Sequence, residues 1–138
     1  MNNEAERINQ LKVIGEINKE MDICVIAGDF NFSDGCPENQ TIAGYTDIWK
    51  EGKRHFSQFA SKEMKESGFT MPSTGRFPAW RPDHVIYRSA LEKGEDEIEI
   101  IGDFTVPPYE KDTFDMIAKD GQVRTPSDHF GLMAKIQL

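Results

Sequence analysis

The chain lacks the features that would anchor it in a membrane or staple it with disulfides. No apolar run approaches the ~20 residues that span a bilayer. The opening Met1-Asn2-Asn3-Glu4 is polar and acidic, unlike a signal peptide. A soluble, intracellular chain with no membrane partner is therefore expected. Cysteine is scarce: Cys24 sits inside an apolar run and Cys36 in a Gly/Pro-rich loop, so the two read as free thiols rather than a disulfide framework. Positive charge is in deficit, with 16 basic residues against 24 acidic ones and a formal charge of −8. That balance opposes non-specific attraction to nucleic acid or anionic lipid, and an anionic ligand would need a cation to help hold it. There is no internal repeat and no low-complexity segment. At 138 residues a single domain without internal boundary is expected, large enough to bury roughly two-thirds of its unfolded surface.

The stretch around which the chain is organised is Val25-Ile26-Ala27-Gly28-Asp29-Phe30-Asn31-Phe32. An apolar run ends in Gly28, and Asp29 and Asn31 then fall on the same side of an extended segment, because strand side chains repeat every two residues. Open α/β sheets place ligands at such carboxyl ends. Before it, Ile8, Leu11, Ile14 and Ile17 recur at three-residue steps between Asn3 and Glu20 and predict an amphipathic helix. The unbroken apolarity of Ile23 to Ala27 predicts a strand covered on both faces.

Ser33 to Gly44 reads as loop. Thr46 is expected to cap a short helical turn through Trp49, and Phe56 to Met64 a second short helix ending before Gly68. Phe69 to Met71 predicts a brief strand. Trp80 to Arg88 predicts a longer one with proline at its entrance, Ile98 onward another that runs toward Phe104, and Phe130 to Gln137 the last. Thr105 to Thr125 reads as loop with one helical turn around Phe114 to Ala118. The pattern is α+β or mixed α/β layering. One helix cannot cover both faces of the first strand, so either the short helices of the Trp49 to Met64 region cover the second face or a partner layer lies outside this chain.

Polar clusters sit at the ends of apolar strands: Asp29 with Asn31, Arg81 with Asp83, and Asp128 with His129. Each alone reads more readily as a turn, an edge salt bridge or a solvated loop. Together they suit phosphodiester hydrolysis. An imidazole and an amide donate to phosphoryl oxygens, carboxylates hold a divalent metal or orient water, and an Asp fixes a His tautomer.

Gly28-Asp29-Phe30-Asn31, Arg81-Pro82-Asp83-His84-Val85-Ile86-Tyr87 and Ser127-Asp128-His129 resemble three ordered motifs of the endonuclease/exonuclease/phosphatase superfamily, which has the deoxyribonuclease I-like fold. Gly44-Tyr45-Thr46-Asp47-Ile48-Trp49, the Trp80 segment, Ile98 to Gly102 and Pro126 to Leu132 are similar to its tyrosyl-DNA phosphodiesterase branch. The resemblance implies an α/β-sandwich, of which this chain supplies one mixed or antiparallel sheet with helix cover, half of the four layers. It implies a Mg²⁺-dependent, or Mn²⁺-dependent, phosphodiesterase acting on a DNA 5′ end that carries a tyrosyl adduct, with a nuclear location.

In that scheme Asp29 acts as acid or base, Asn31 donates to a phosphoryl oxygen, His129 stabilises the charge on phosphorus, Asp83 orients His129, and Asp128 is the metal ligand. Ser127 shapes its turn. Phe77, Trp80 and Arg81 are candidates for substrate contact, with core packing beside the strand the other reading of Phe77 and Trp80. Pro82 departs from the family pattern, so the strand should begin only at Asp83.

In such families an Asn and a Glu metal ligand come from an amino-terminal half. Glu4, Glu6, Glu16 and Glu20 lie on or near a helix and do not substitute for that Glu. The chain is thus expected to be the carboxyl-terminal half of such a domain, inactive or weakly active alone, whose open sheet face meets the other half or a second copy. A phosphoinositide, sphingomyelin or other small phosphoester substrate, and a truncated chain that only binds a partner, are the competing expectations.

Overall fold

The computed structural model describes residues 3–58, 60–71, 78–92, 94–101 and 129–137. The predicted first helix is α1, Glu4–Ile17, and it leads into strand β1, Ile23–Asp29. A 3₁₀ turn at Pro37–Gln40 interrupts the loop that follows. Then come β2 (Thr46–Asp47), α2 (Ile48–Glu51), β3 (Lys53–His55), α3 (Lys62–Ser67), β4 (Asp83–Ser89), β5 (Glu97–Ile101) and β6 (Gly131–Lys135). The expected helical turn at 114–118 and the continuation of β5 toward Phe104 lie outside the described residues.

The strands form two three-stranded sheets, ordered β1-β4-β2 and β3-β5-β6. β1 and β2 both run antiparallel to β4, with Ile23 opposite Ser89 and Asp29 opposite Asp83. β3 is parallel to β5, and β6 antiparallel to it. β4 begins at Asp83, directly after Pro82, as a residue without an amide hydrogen dictates.

The strand covered on both faces is β4, not β1. Val85 and Tyr87 join Ile48, Trp49, Met64, Phe69, Ile98, Ile100 and Phe130 in one apolar cluster, and Ile86 joins Phe32 and Ile42 in another. β1 is an edge strand: Cys24 is buried, while Ile23 and Val25 remain 41% and 50% exposed. Its unbroken apolarity therefore does not mark double cover, because the face shared by Ile23 and Val25 has no layer over it among the described residues. On the other face, α1 packs Leu11 beside Ile26 and Phe32. Arg7 of α1 reaches the buried Glu38 at 2.6 Å, and Arg88 of β4 donates to the Asn18 carbonyl at the helix end.

Two local expectations shift. Asp47 rather than Thr46 caps α2, accepting from the Trp49 amide, since Thr46 is drawn into pairing with Tyr87. α3 starts only after Ser61, whose hydroxyl accepts from Met64 N–H, so Phe56 and Ala60 pack outside the helix. Its end is as expected: Gly68 closes it at φ 67°, a left-handed conformation that glycine adopts without strain.

Candidate active site

β1 and β4 end side by side, and residues opposite one another in an antiparallel ladder share a face. Asp29 and Asp83 are such a pair. Gly28, still paired in the strand, has φ 149°, and after Asp29 the chain turns tightly. Both Asp29 carboxylate oxygens accept from Asn31, one from its backbone N–H at 2.8 Å and one from its side-chain amide at 3.1 Å. Asn31 has φ 55°, a left-handed geometry that Asn tolerates better than most residues. Beyond the pair, Phe30 N–H donates to the Pro82 carbonyl at 2.8 Å, which locks the register at its last step.

Asp83 carries the second half of the arrangement. Its Oδ2 accepts from His129 Nδ1–H at 2.8 Å and from the Thr70 hydroxyl. A carboxylate can only accept, so Nδ1 carries the hydrogen and Nε2 points away from the anchor. Asp29 and Asn31 are exposed, and Asp83 and His129 half-buried. The four form an open cluster at the end of the sheet in which one carboxylate can take a proton, an amide can donate and an oriented imidazole can meet negative charge.

Thr70 is the residue that periodicity does not reveal. It is fully buried, and its carbonyl also accepts from Phe130 N–H at 2.6 Å, so it ties both Asp83 and the residue after His129. The brief extended segment expected at Phe69 to Met71 is present as a bridge between Met71 and Trp80.

The candidate substrate contacts are placed as follows. Trp80 is half-buried, with its indole N–H directed to the Met71 sulfur at 2.9 Å. Arg81 is 4% exposed. Its guanidinium donates to Asp47 at 2.7 and 3.2 Å and to both oxygens of Asp34 at 2.9 and 3.0 Å. It is enclosed and committed to two carboxylates, not open to a ligand. Phe77 and Asp128 lie outside the described residues.

The Arg81 network also sets charge. Burial works against ionisation of Asp47, but the His84 ring beside it and the hydrogen bonds and charge of Arg81 outweigh it and hold the carboxyl well below its ordinary range. Asp34 is lowered too: burial opposes, while Lys50 and Arg81 prevail. Next to Asp29 a groove of about 210 Å³ runs between α1 and the end of β1, walled by Leu11, Ile26, Phe30 and Phe32 with Arg7 at its rim.

Among the described residues no three His, Cys, Asp or Glu side chains gather to hold a metal ion. The oxygens of Asp29 accept from Asn31, and Asp83 Oδ2 is shared by His129 and Thr70. The described residues alone therefore do not fit a divalent ion.

No family model and no curated protein matches the chain. Solved structures do. A D. rerio TDP2 complexed with single-strand DNA product is 23% identical with a TM-score of 0.59, over 96% of this chain and 50% of that one. A mannosyl-6-phosphatase of Bacteroides thetaiotaomicron is 13% identical with a TM-score of 0.62, over 96% of this chain and 46% of its own. An endonuclease/exonuclease/phosphatase family protein from the same organism is 15% identical with a TM-score of 0.56, over 93% and 43%. The chain has the α+β fold of these structures and spans half or less of their length.

Proposed function

We propose that this chain is the carboxyl-terminal part of a phosphodiesterase that hydrolyses the bond between tyrosine and a DNA 5′ phosphate. What supports the reading most is the arrangement of Asp29 opposite Asp83 with His129 bonded to Asp83. Such a set suits in-line attack on phosphorus. Asp29 takes the proton of the attacking water or returns one to the leaving oxygen, as a positioned carboxylate does. Asn31 donates its side-chain N–H to a non-bridging oxygen, and His129 Nε2–H donates to the charge that develops there. The imidazole does so as its doubly protonated cation, whose Nδ1–H the Asp83 carboxylate holds.

The reading includes Mg²⁺ or Mn²⁺ as the cation an acidic chain needs beside an anionic ester, with Asp128 as its proposed ligand. It assigns the open face of β1 to the amino-terminal half of such a domain or to a second copy of this chain, and a nuclear location to the whole. Likeness to a DNA-bound TDP2 structure favours a DNA end as substrate. A groove of about 210 Å³ beside Asp29 offers room next to the reacting group.

The test is a 5′-phosphotyrosyl oligonucleotide incubated with the chain, or with a longer polypeptide containing it, in Mg²⁺. Release of tyrosine that EDTA stops and His129→Ala reduces is expected. No release, or release undiminished in the variant, would sink the proposal.

Likeness to a mannosyl-6-phosphatase favours a second reading, in which the same residues act on a sugar phosphate, phosphoinositide, sphingomyelin or other small phosphoester. Faster turnover of any of these than of the DNA adduct would select it. A third reading, a non-catalytic chain that binds a partner, is favoured by the lack of a metal-holding group among the described residues. Turnover by the chain alone would remove it.

A further inference from the structure

β4 faces two ways at its first two residues, and only one of them has been given a task. Asp83 points to the face of Asp29 and anchors His129. His84, next in sequence and opposite Gly28, points to the other face and is 1% exposed. Its Nε2 lies 3.2 Å from the Phe32 carbonyl oxygen, and since a carbonyl only accepts, the Nε2–H is the donor. The rings of Phe30 and Phe32 flank the imidazole with centroids at 5.2 and 5.4 Å. Nδ1 is buried without a hydrogen bond, 3.6 Å from Asp47 Oδ2. Asp47 is itself held by Arg81, whose other contacts reach Asp34.

Between Phe30 and Phe32 stands Asn31 at φ 55°. A left-handed non-glycine residue persists only where its surroundings hold it. The Asp29 carboxylate holds the turn from the entry side. On the exit side the first carbonyl after Asn31 is buried and takes its hydrogen bond from His84. Without that bond Phe32 is free to shift, the chain leaving Asn31 is no longer held, and Asn31 relaxes toward ordinary backbone angles with its side-chain amide displaced.

We propose that His84 is a positioning residue that fixes the Asp29–Asn31 turn through the Phe32 carbonyl, so that one dipeptide on β4 sets both halves of the site: Asp83 for His129, and His84 for Asn31. The kinetic part of this inference rests on the phosphodiesterase reading, and the structural part does not.

His84→Phe keeps the ring volume and loses the donor, His84→Asn places its amide too short to reach Phe32, and His84→Gln places an amide N–H where Nε2–H stood. Two readouts apply: kcat and KM on the phosphodiester, and the ¹⁵N–¹H signal of the Asn31 side-chain amide in the folded chain. His84→Phe and His84→Asn should lower kcat, by up to roughly 10²-fold where the turn moves by an ångström, at unchanged KM, and shift the Asn31 signal while the backbone amide signals of Ile98 and Ile100, in the other sheet, stay in place. His84→Gln should restore both. Equal losses in all three variants, or an Asn31 signal unmoved in a folded donor-less variant, would overturn the proposal. Should His84→Phe fail to fold, the Asn and Gln pair decides alone. If neither the parent chain nor a longer polypeptide containing it turns over a phosphodiester, the functional reading fails, and the Asn31 signal still decides the positioning role.

Discussion

Asp83 Oδ2 serves two donors at once, Thr70 and His129, so a change at this one atom reaches three residues. Asp83→Asn swaps an acceptor for a donor-bearing amide and leaves Nδ1–H of His129 without its anionic partner. Turnover should fall at least about 10²-fold, measured on the tyrosyl oligonucleotide, with the far-UV spectrum unchanged. Thr70→Val removes only the hydroxyl and should cost about 1 kcal/mol in urea unfolding, with a smaller kinetic effect; a kinetic loss as large as that of Asp83→Asn would mean the hydroxyl does more than hold. Asp47 gives a pH signature. Its carboxyl is depressed in the folded chain, so the folded state binds fewer protons than the unfolded one. The resulting stability is present above the ordinary carboxylate value near 3.9 and is lost as pH falls below it. Asp47→Asn should be less stable by about 3 kcal/mol at neutral pH, because Arg81 is left buried with a weakened partner, and should lose stability less steeply below about pH 4. Equal acid slopes for variant and parent would assign that dependence to other carboxylates.

At the level of elements, α3 and β4 show how conformation and burial share the work. A Cβ on Gly68 would meet the Trp49 ring at 2.0 Å, and the residue also has φ 67°. Gly68→Ala should therefore destabilise by about 2 kcal/mol or more, adding the left-handed penalty to overpacking, and thermal unfolding measures it. In β4, burial and a hydrogen bond to Asp96 push the Tyr87 hydroxyl up to about 12 from 10.0. A raised value favours the folded state below the unfolded pKa. That stabilisation is thus present up to pH 10 and lost as pH rises through about 12; Tyr87→Phe should flatten the alkaline limb of the stability curve. These elements were unequally legible in sequence. Pro82 marks where β4 starts, since its missing amide hydrogen is a local fact, and Gly68 marks the end of α3 for a similar reason. β1 misleads because apolarity alone does not say which faces are covered, and the face of Ile23 and Val25 has no layer over it among the described residues. β3 has no apolar pattern at all: Lys53, Arg54 and His55 pair along β5 through their backbone, and His55 Nε2 lies 3.4 Å from the Glu97 carboxylate. Within the site, two-residue spacing points to Asp29 and Asn31, but β1 ends at Asp29, and a tight turn at a left-handed Asn31, not the pleat of a strand, brings the two together. His129 joins them only through the motif order, and Thr70 is silent because its partner lies 13 positions away and nothing periodic leads to it.

For the molecule as a whole, the described core lies on both sides of β4, while Val13, Ile17, Met21, Ile23 and Val25 remain open to solvent. Val25→Lys should change the stability of the isolated chain by no more than about 0.5 kcal/mol, as surface substitutions usually do, and should raise its solubility. A large fall in melting temperature would show that this face is covered in solution. The order of the strands also has a bearing on time. A ribosome releases β1 first, at roughly 5–20 residues per second, and its antiparallel partner β4 emerges only after β2, α2, β3 and α3. His129 follows Asp83 by a further 46 residues. Between the release of β1 and that of β4 the nascent chain therefore displays an apolar strand whose hydrogen-bonding partner has not yet been made. The contact between Asp83 and His129 can form only after β1 to β5 have all been made, so a message cut short before codon 129 would yield a chain that keeps the Asp83 carboxylate and lacks the imidazole it holds.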